Sequence, residues 1–132
     1  MTDAERAQIA VMARLLEAAG RLDPLSTGLT LLALAACALG KLHAIPTIVV
    51  VALGLAAKLY AVRIAFDAKL FRGVSTGAIT TADLDQALVA LKLAPGDKTG
   101  RDWTARCRGA KRLIVLCAAA TAAQCIAFLA ML

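Results

Sequence analysis

Leu113–Leu132, LIVLCAAATAAQCIAFLAML, is a run of 20 residues without a single charge. A helix rises about 1.5 Å per residue, so the run matches the roughly 30 Å hydrocarbon thickness of a bilayer. So long an uncharged stretch in a chain of 132 residues sets the frame for the rest. The hydrophobic fraction is 61% and the mean hydropathy is +0.76. A globule of this size has too little interior for that much apolar side chain, so lipid is expected to take it up.

Two further uncharged runs stand upstream. Leu25–Gly40, LSTGLTLLALAACALG, together with its flanks, makes a first span of about 24–43, with Asp23 as helix cap and Pro24 as first helical residue. Ile45 to about Ala65, built on IPTIVVVALGLAA, makes a second span of about 45–66. Gly40 and Pro46 punctuate the turn between them. The third span is 113–132. The expected architecture is therefore all-α, an integral membrane three-helix bundle.

The remaining segments are shorter and charged. Thr2-Asp3-Ala4-Glu5 has capping-box spacing and opens a helix to about Gly20 within an N-terminal amphipathic arm, 1–23. Ile9, Met12, Ala13 and Leu16 share one face of it, which is expected to lie in the membrane interface or against a partner. Between the second and third spans a basic loop, 67–112, is expected to carry a helix over about 81–93, capped by Thr80 or Thr81. Gly73–Gly77 and Ala94–Gly100 read as connections. From Arg101 a helix is expected to run into the third span, placing Trp103 near the headgroups.

Orientation follows from lysine and arginine placement. Arg6, Arg14, Arg21, Arg63, Lys69, Arg72, Lys92, Lys98, Arg101, Arg106, Arg108, Lys111 and Arg112 share one side of the three-span arrangement; Lys41 is on the other. The expected location is the inner, cytoplasmic membrane of a bacterial-type cell, multi-pass, with the N-terminus inside and the C-terminus outside. The net charge of +6 fits this pattern better than a nucleic-acid groove, because the cations flank apolar runs and do not line a soluble surface.

Few residues carry candidate chemistry. Lys58 sits roughly 9 Å inside the second span, where a charge is costly and functional by default. Snorkelling past Arg63 toward the headgroups is the preferred explanation, on the argument that no acidic residue lies at its depth. The same argument disfavours an ion-coupled carrier. Cys117, Thr121, Gln124 and Cys125 share a face of the third span, expected to be a packing seam more than a pore lining. The small-residue pairs Ala36/Gly40, Ala57/Ala61/Ala65, Ala118/Ala122 and Ala119/Ala123 point the same way.

Leu84, Leu88 and Leu91, with Trp103, Arg106, Arg108 and Arg112, form the expected docking surface for a partner protein or for anionic phospholipids. His43, the one histidine, is read as a turn residue, and the four cysteines form no CxxC pair. No cofactor, metal site or catalytic signature is expected. The leading expectation is an accessory or scaffold subunit, self-associating or held in a larger membrane complex. A small homo-oligomeric channel or transporter comes next. A lipid-headgroup-modifying enzyme using Asp23, Arg63, Asp67, Lys69 and Arg72 comes third.

Overall fold

The computed structural model describes residues 2–92 and 102–132. Among them all regular structure is helical, in the order α1 (Asp3–Ala19), α2 (Leu22–Ala38), α3 (Ala44–Ser75), α4 (Thr81–Ala90) and α5 (Trp103–Leu129). The all-α expectation therefore holds. Two helices, α3 and α5, are long and apolar enough to cross a membrane. At 32 and 27 residues they extend about 48 and 40 Å, longer than a bilayer's apolar thickness of about 30 Å. With 17 residues, or about 25 Å, α2 is shorter.

The helix ends follow from local chemistry. Thr2 caps α1 by accepting from the Glu5 amide at 3.2 Å, while the Glu5 carboxylate accepts from the Thr2 amide at 2.8 Å. Thr80 and Asp83 repeat the device on α4. α2 and α3 both end in the same reverse hydrogen-bond pattern. The Gly40 amide donates to Cys37 and that of Lys41 to Ala36; the Gly77 amide donates to Val74 and that of Ala78 to Gly73. Gly40 and Gly77 take φ of +70° and +74°, which side chains disfavour.

Three expected boundaries are corrected. Asp23 and Pro24 lie inside α2, which starts at Leu22; Pro24 is third in the helix, where an amide has no helical acceptor in any case. The second span and its extension form one helix that runs through Gly73 to Ser75. Gly73, expected in a connection, lies in the helix with Ile79 folded back onto it: a Cβ there would stand 3.1 Å from Ile79 Cδ1. The loop helix stops at Ala90, before the expected 93. The expected connection at Ala94–Gly100 lies outside the described residues.

α3 is the central element, packing against α1, α2 and α5. One cluster joins Ile9, Met12, Ala13 and Leu16 of α1 to Ile64, Phe71 and Val74 of α3, with Leu84 of α4 and Ala110 and Cys117 of α5. The apolar face of the N-terminal helix is thus covered by the chain's own α3 and α5. A smaller cluster, Ala33, Val50 and Phe128, lies at the other end of the molecule. Only 28% of the most apolar window of α3 and 22% of that of α5 is buried. Leu31, Leu39, Ile45, Leu59, Ile126 and Leu129 all point outward. The core helix of a soluble domain would have those faces covered.

Candidate functional site

The polar side chains of the long helices gather at two levels. At the first, Gln124 of α5 is completely buried. Its Oε1 accepts from Ser26 Oγ at 2.6 Å, and its Nε2 approaches the Ser26 carbonyl (3.1 Å), Thr30 Oγ1 (2.8 Å) and the Val50 carbonyl (3.4 Å). One amide therefore reaches α2 three times and α3 once. Thr30 Oγ1 donates back to the Ser26 carbonyl at 2.9 Å, which fixes its orientation.

The amide fits only because α3 carries Gly54 opposite it. A Cβ on Gly54 would lie 2.2 Å from Thr30 Oγ1 and 2.8 Å from Gln124 Nε2. In an apolar surround an unpaired amide costs several kcal/mol by general estimate, so such a residue demands partners. Ser26 and Thr30, one helical turn apart on α2, supply them. Among the described residues, every buried side-chain nitrogen and oxygen has a hydrogen-bond partner.

At the second level, Lys58 Nζ donates to both carboxylate oxygens of Asp23 at 2.9 Å and to Thr27 Oγ1 at 3.2 Å. This corrects the argument made for Lys58 from the sequence. A carboxylate does stand at its level, because α2 begins early enough to carry Asp23 there. Both side chains stay partly exposed, at 49% and 32%, so the pair sits at the edge of the bundle. Thr121 is buried as well, its hydroxyl donating within its own helix to the Cys117 carbonyl one turn back at 2.9 Å.

The basic end is laced by further ion pairs. Arg63 lies 3.9 Å from Asp67, and Arg72 lies 3.2 Å from Glu17 of α1. Asp67 is just past the apolar stretch that ends at Phe66, and burial lifts its carboxyl above the usual range, with Arg63 pulling partly back. Asp23, Arg63, Asp67 and Arg72 thus fall into three separate pairs, without gathering round one headgroup position.

The expected docking residues divide. Leu84 is buried and Leu88 packs against the same apolar cluster. Trp103 meets Phe71 edge-on, ring centroids 5.5 Å apart, and Arg106 lies over the Trp103 ring while pairing closely with Asp85. These four are turned into the chain itself, whereas Leu91, Arg108 and Arg112 are exposed. His43 is exposed in the turn before α3. No group of three metal-ligating side chains occurs among the described residues. Of the small-residue pairs, Ala57/Ala61 lies in the seam of α3, while Ala118, Ala119 and Ala122 face outward.

Sequence reading passed over Ser26, Thr30 and Gly54. The available signal was their register: Ser26 and Thr30 at i and i+4, and Gly54 one turn before Ala57. Searches against family models, characterised proteins and solved structures return no match to the chain.

Proposed function

We propose that the chain is a three-span membrane protein that serves as a small accessory or scaffold subunit. In this reading α2, the apolar part of α3 and the apolar part of α5 cross the bilayer. The positive-inside bias puts α1, α4 and the basic end of α5 at the cytoplasmic face of the membrane of a bacterial-type cell. The shortness of α2 is accommodated by local thinning or by its neighbours, at a fraction of a kcal/mol per Å by general estimate.

The observation that carries the scaffold reading is the engagement of the polar side chains with one another. Gln124, Ser26 and Thr30 bind helix to helix, and Lys58 closes on Asp23 and Thr27. Lipid supplies no hydrophobic drive between helices, so such contacts and close-packed small residues have to hold a bundle together. What the chain offers outward is apolar: Leu31, Ile45, Leu59 and Ile126 on its flanks. That surface suits lipid and neighbouring spans. With Leu84 and Leu88 already used inside, the cytoplasmic contact of this subunit falls to the exposed Leu91 and Arg112.

The Lys58–Asp23 pair favours a second reading, a small homo-oligomeric channel or transporter, since charges placed within spans commonly mark ion paths. One experiment separates the two. The particle is extracted from native membranes in a mild detergent, its mass is measured and every co-purifying chain is identified. A stoichiometric second protein is expected. A pure ring of identical chains would reject the accessory role and place Lys58 at the symmetry axis as the residue to pursue.

A further inference from the structure

α1 buries one face on α3 and leaves a second apolar strip without cover. Val11 and Leu15, one turn apart, are 60% and 48% exposed. They form one wall of a groove of about 590 Å³ between α1 and the basic end of α5, with Met12 at its floor and Gln8 beside it. That volume falls within the roughly 300–1,000 Å³ usual for small-ligand sites. The opposite lip carries Arg108 and Lys111, three residues apart and so on one face of α5.

The charges at this lip differ from the others nearby. Arg63, Arg72 and Arg106 each face a carboxylate. Arg108 and Lys111 have no ion-pair partner among the described residues, and no acidic side chain there lines the groove. An apolar trough with an unneutralised cationic lip is complementary to an amphiphile with an anionic head. The geometry points to a site for one anionic phospholipid, its phosphate between Arg108 and Lys111 and an acyl chain along Val11, Met12 and Leu15. This rests on the membrane reading above, which sets the groove beside the headgroups because the apolar run of α5 begins at Leu113. Basic pockets between helices at that level are suited to anionic headgroups.

The test uses the full chain in neutral detergent, with bound lipid counted by native mass spectrometry. Phosphatidylglycerol and phosphatidylcholine of identical acyl chains are compared. One phosphatidylglycerol is expected to be held about thirtyfold more tightly, each cation contributing roughly a fivefold preference. Arg108→Gln with Lys111→Gln should reduce that preference to near unity. Arg6→Gln with Lys69→Gln, the same loss of charge elsewhere, should leave it in place. Leu15→Gln should weaken both lipids.

Equal binding of the two lipids overturns the proposal. So does an equal loss in the control variant, or displacement by inorganic phosphate alone, which would mean an anion site without an acyl groove. A protein chain found seated on Val11 and Leu15 would overturn it as well. Retention of each variant in carbonate-washed membranes is measured alongside. Failure to be retained counts against the membrane reading, whereas retention without lipid preference counts against the groove alone. An unshifted Trp103 emission spectrum shows that the basic end is still folded.

Discussion

The two ends of this molecule are held together by different means. At the basic end Ile9, Leu16, Ile64 and Val74 are fully or almost fully buried in a cluster of large aliphatic side chains, with salt bridges confined to its margin. At the apolar end the contacts between helices are the small cluster of Ala33, Val50 and Phe128, a glycine, two hydroxyls and one amide. The contrast follows the solvent each end is suited to. Where water surrounds a helix, burying aliphatic surface drives association. Where the flanks are themselves apolar, nothing is gained by hiding more of the same, and close approach with hydrogen bonding takes over.

The largest effect is expected at the basic end. Leu16→Ala removes a side chain with no exposure, and such truncations cost about 2–5 kcal/mol. Unfolding in mixed micelles, followed through Trp103 where it abuts Phe71, should shift accordingly. Alkylation of Cys125, the half-buried neighbour of Gln124 at the apolar end, should accelerate little. A large gain in Cys125 labelling would break the comparison and make the two ends one cooperative unit.

At the apolar end the sharper probe is addition of an atom. Gly54→Ala puts a methyl group where Thr30 Oγ1 and Gln124 Nε2 already meet, and neither can turn away without losing a hydrogen bond. Overpacking of this kind costs about 1–3 kcal/mol. Cys125 should become more reactive while the Trp103 transition moves less than in Leu16→Ala. Adding Thr30→Ala should recover part of the loss, because the new methyl would then face the Thr30 Cβ position at an ordinary 3.5 Å. A double variant no better than the single one would show that Gln124, and not Thr30, sets the clearance.

How much of this was legible in the sequence depends on the range over which each contact is encoded. The capping box at Thr2, the apolar face of α1 and the helical path of α5 and of α3 up to Arg72 follow from residues three or four apart and are legible in that spacing. Thr80 is legible only as one of two candidate caps. The polarity of Gln124 was conspicuous, but its partners were not. Ser26 and Thr30 are 98 and 94 residues away, and hydroxyls in an apolar run look incidental until the facing helix is placed. The Lys58–Asp23 pair was missed because a single boundary was misplaced. With Asp23 taken as a cap and Pro24 as the first helical residue, the carboxylate fell outside the bundle. Starting α2 at Leu22 brings it onto the helix and within 2.9 Å of Lys58. Leu84 and Leu88 were assigned to a partner because a short amphipathic helix in a loop carries no sign of which surface covers it, and here the chain covers it itself.

The smallest effect concerns Asp67, at the margin of the basic-end cluster between Ile64 and Ala68. Burial raises its pKa in the folded chain above the unfolded value, so the folded state binds the proton more tightly. The sign follows: the ionised carboxylate opposes folding at neutral pH, and that penalty fades as pH falls through the folded-state pKa. Asp67→Asn should therefore be as stable as the parent or slightly more so at pH 7. The gain should stay below about 1 kcal/mol, because the exposed Arg63 pair lost with it is itself worth only about 0–1 kcal/mol. On acidification the parent should draw level with the variant. If Asp67→Asn were instead less stable at pH 7, with the gap closing in acid, the Arg63 contact would outweigh burial. The basic end would then be held partly by charge, and its contrast with the end joined by hydrogen bonds would no longer rest on aliphatic packing alone.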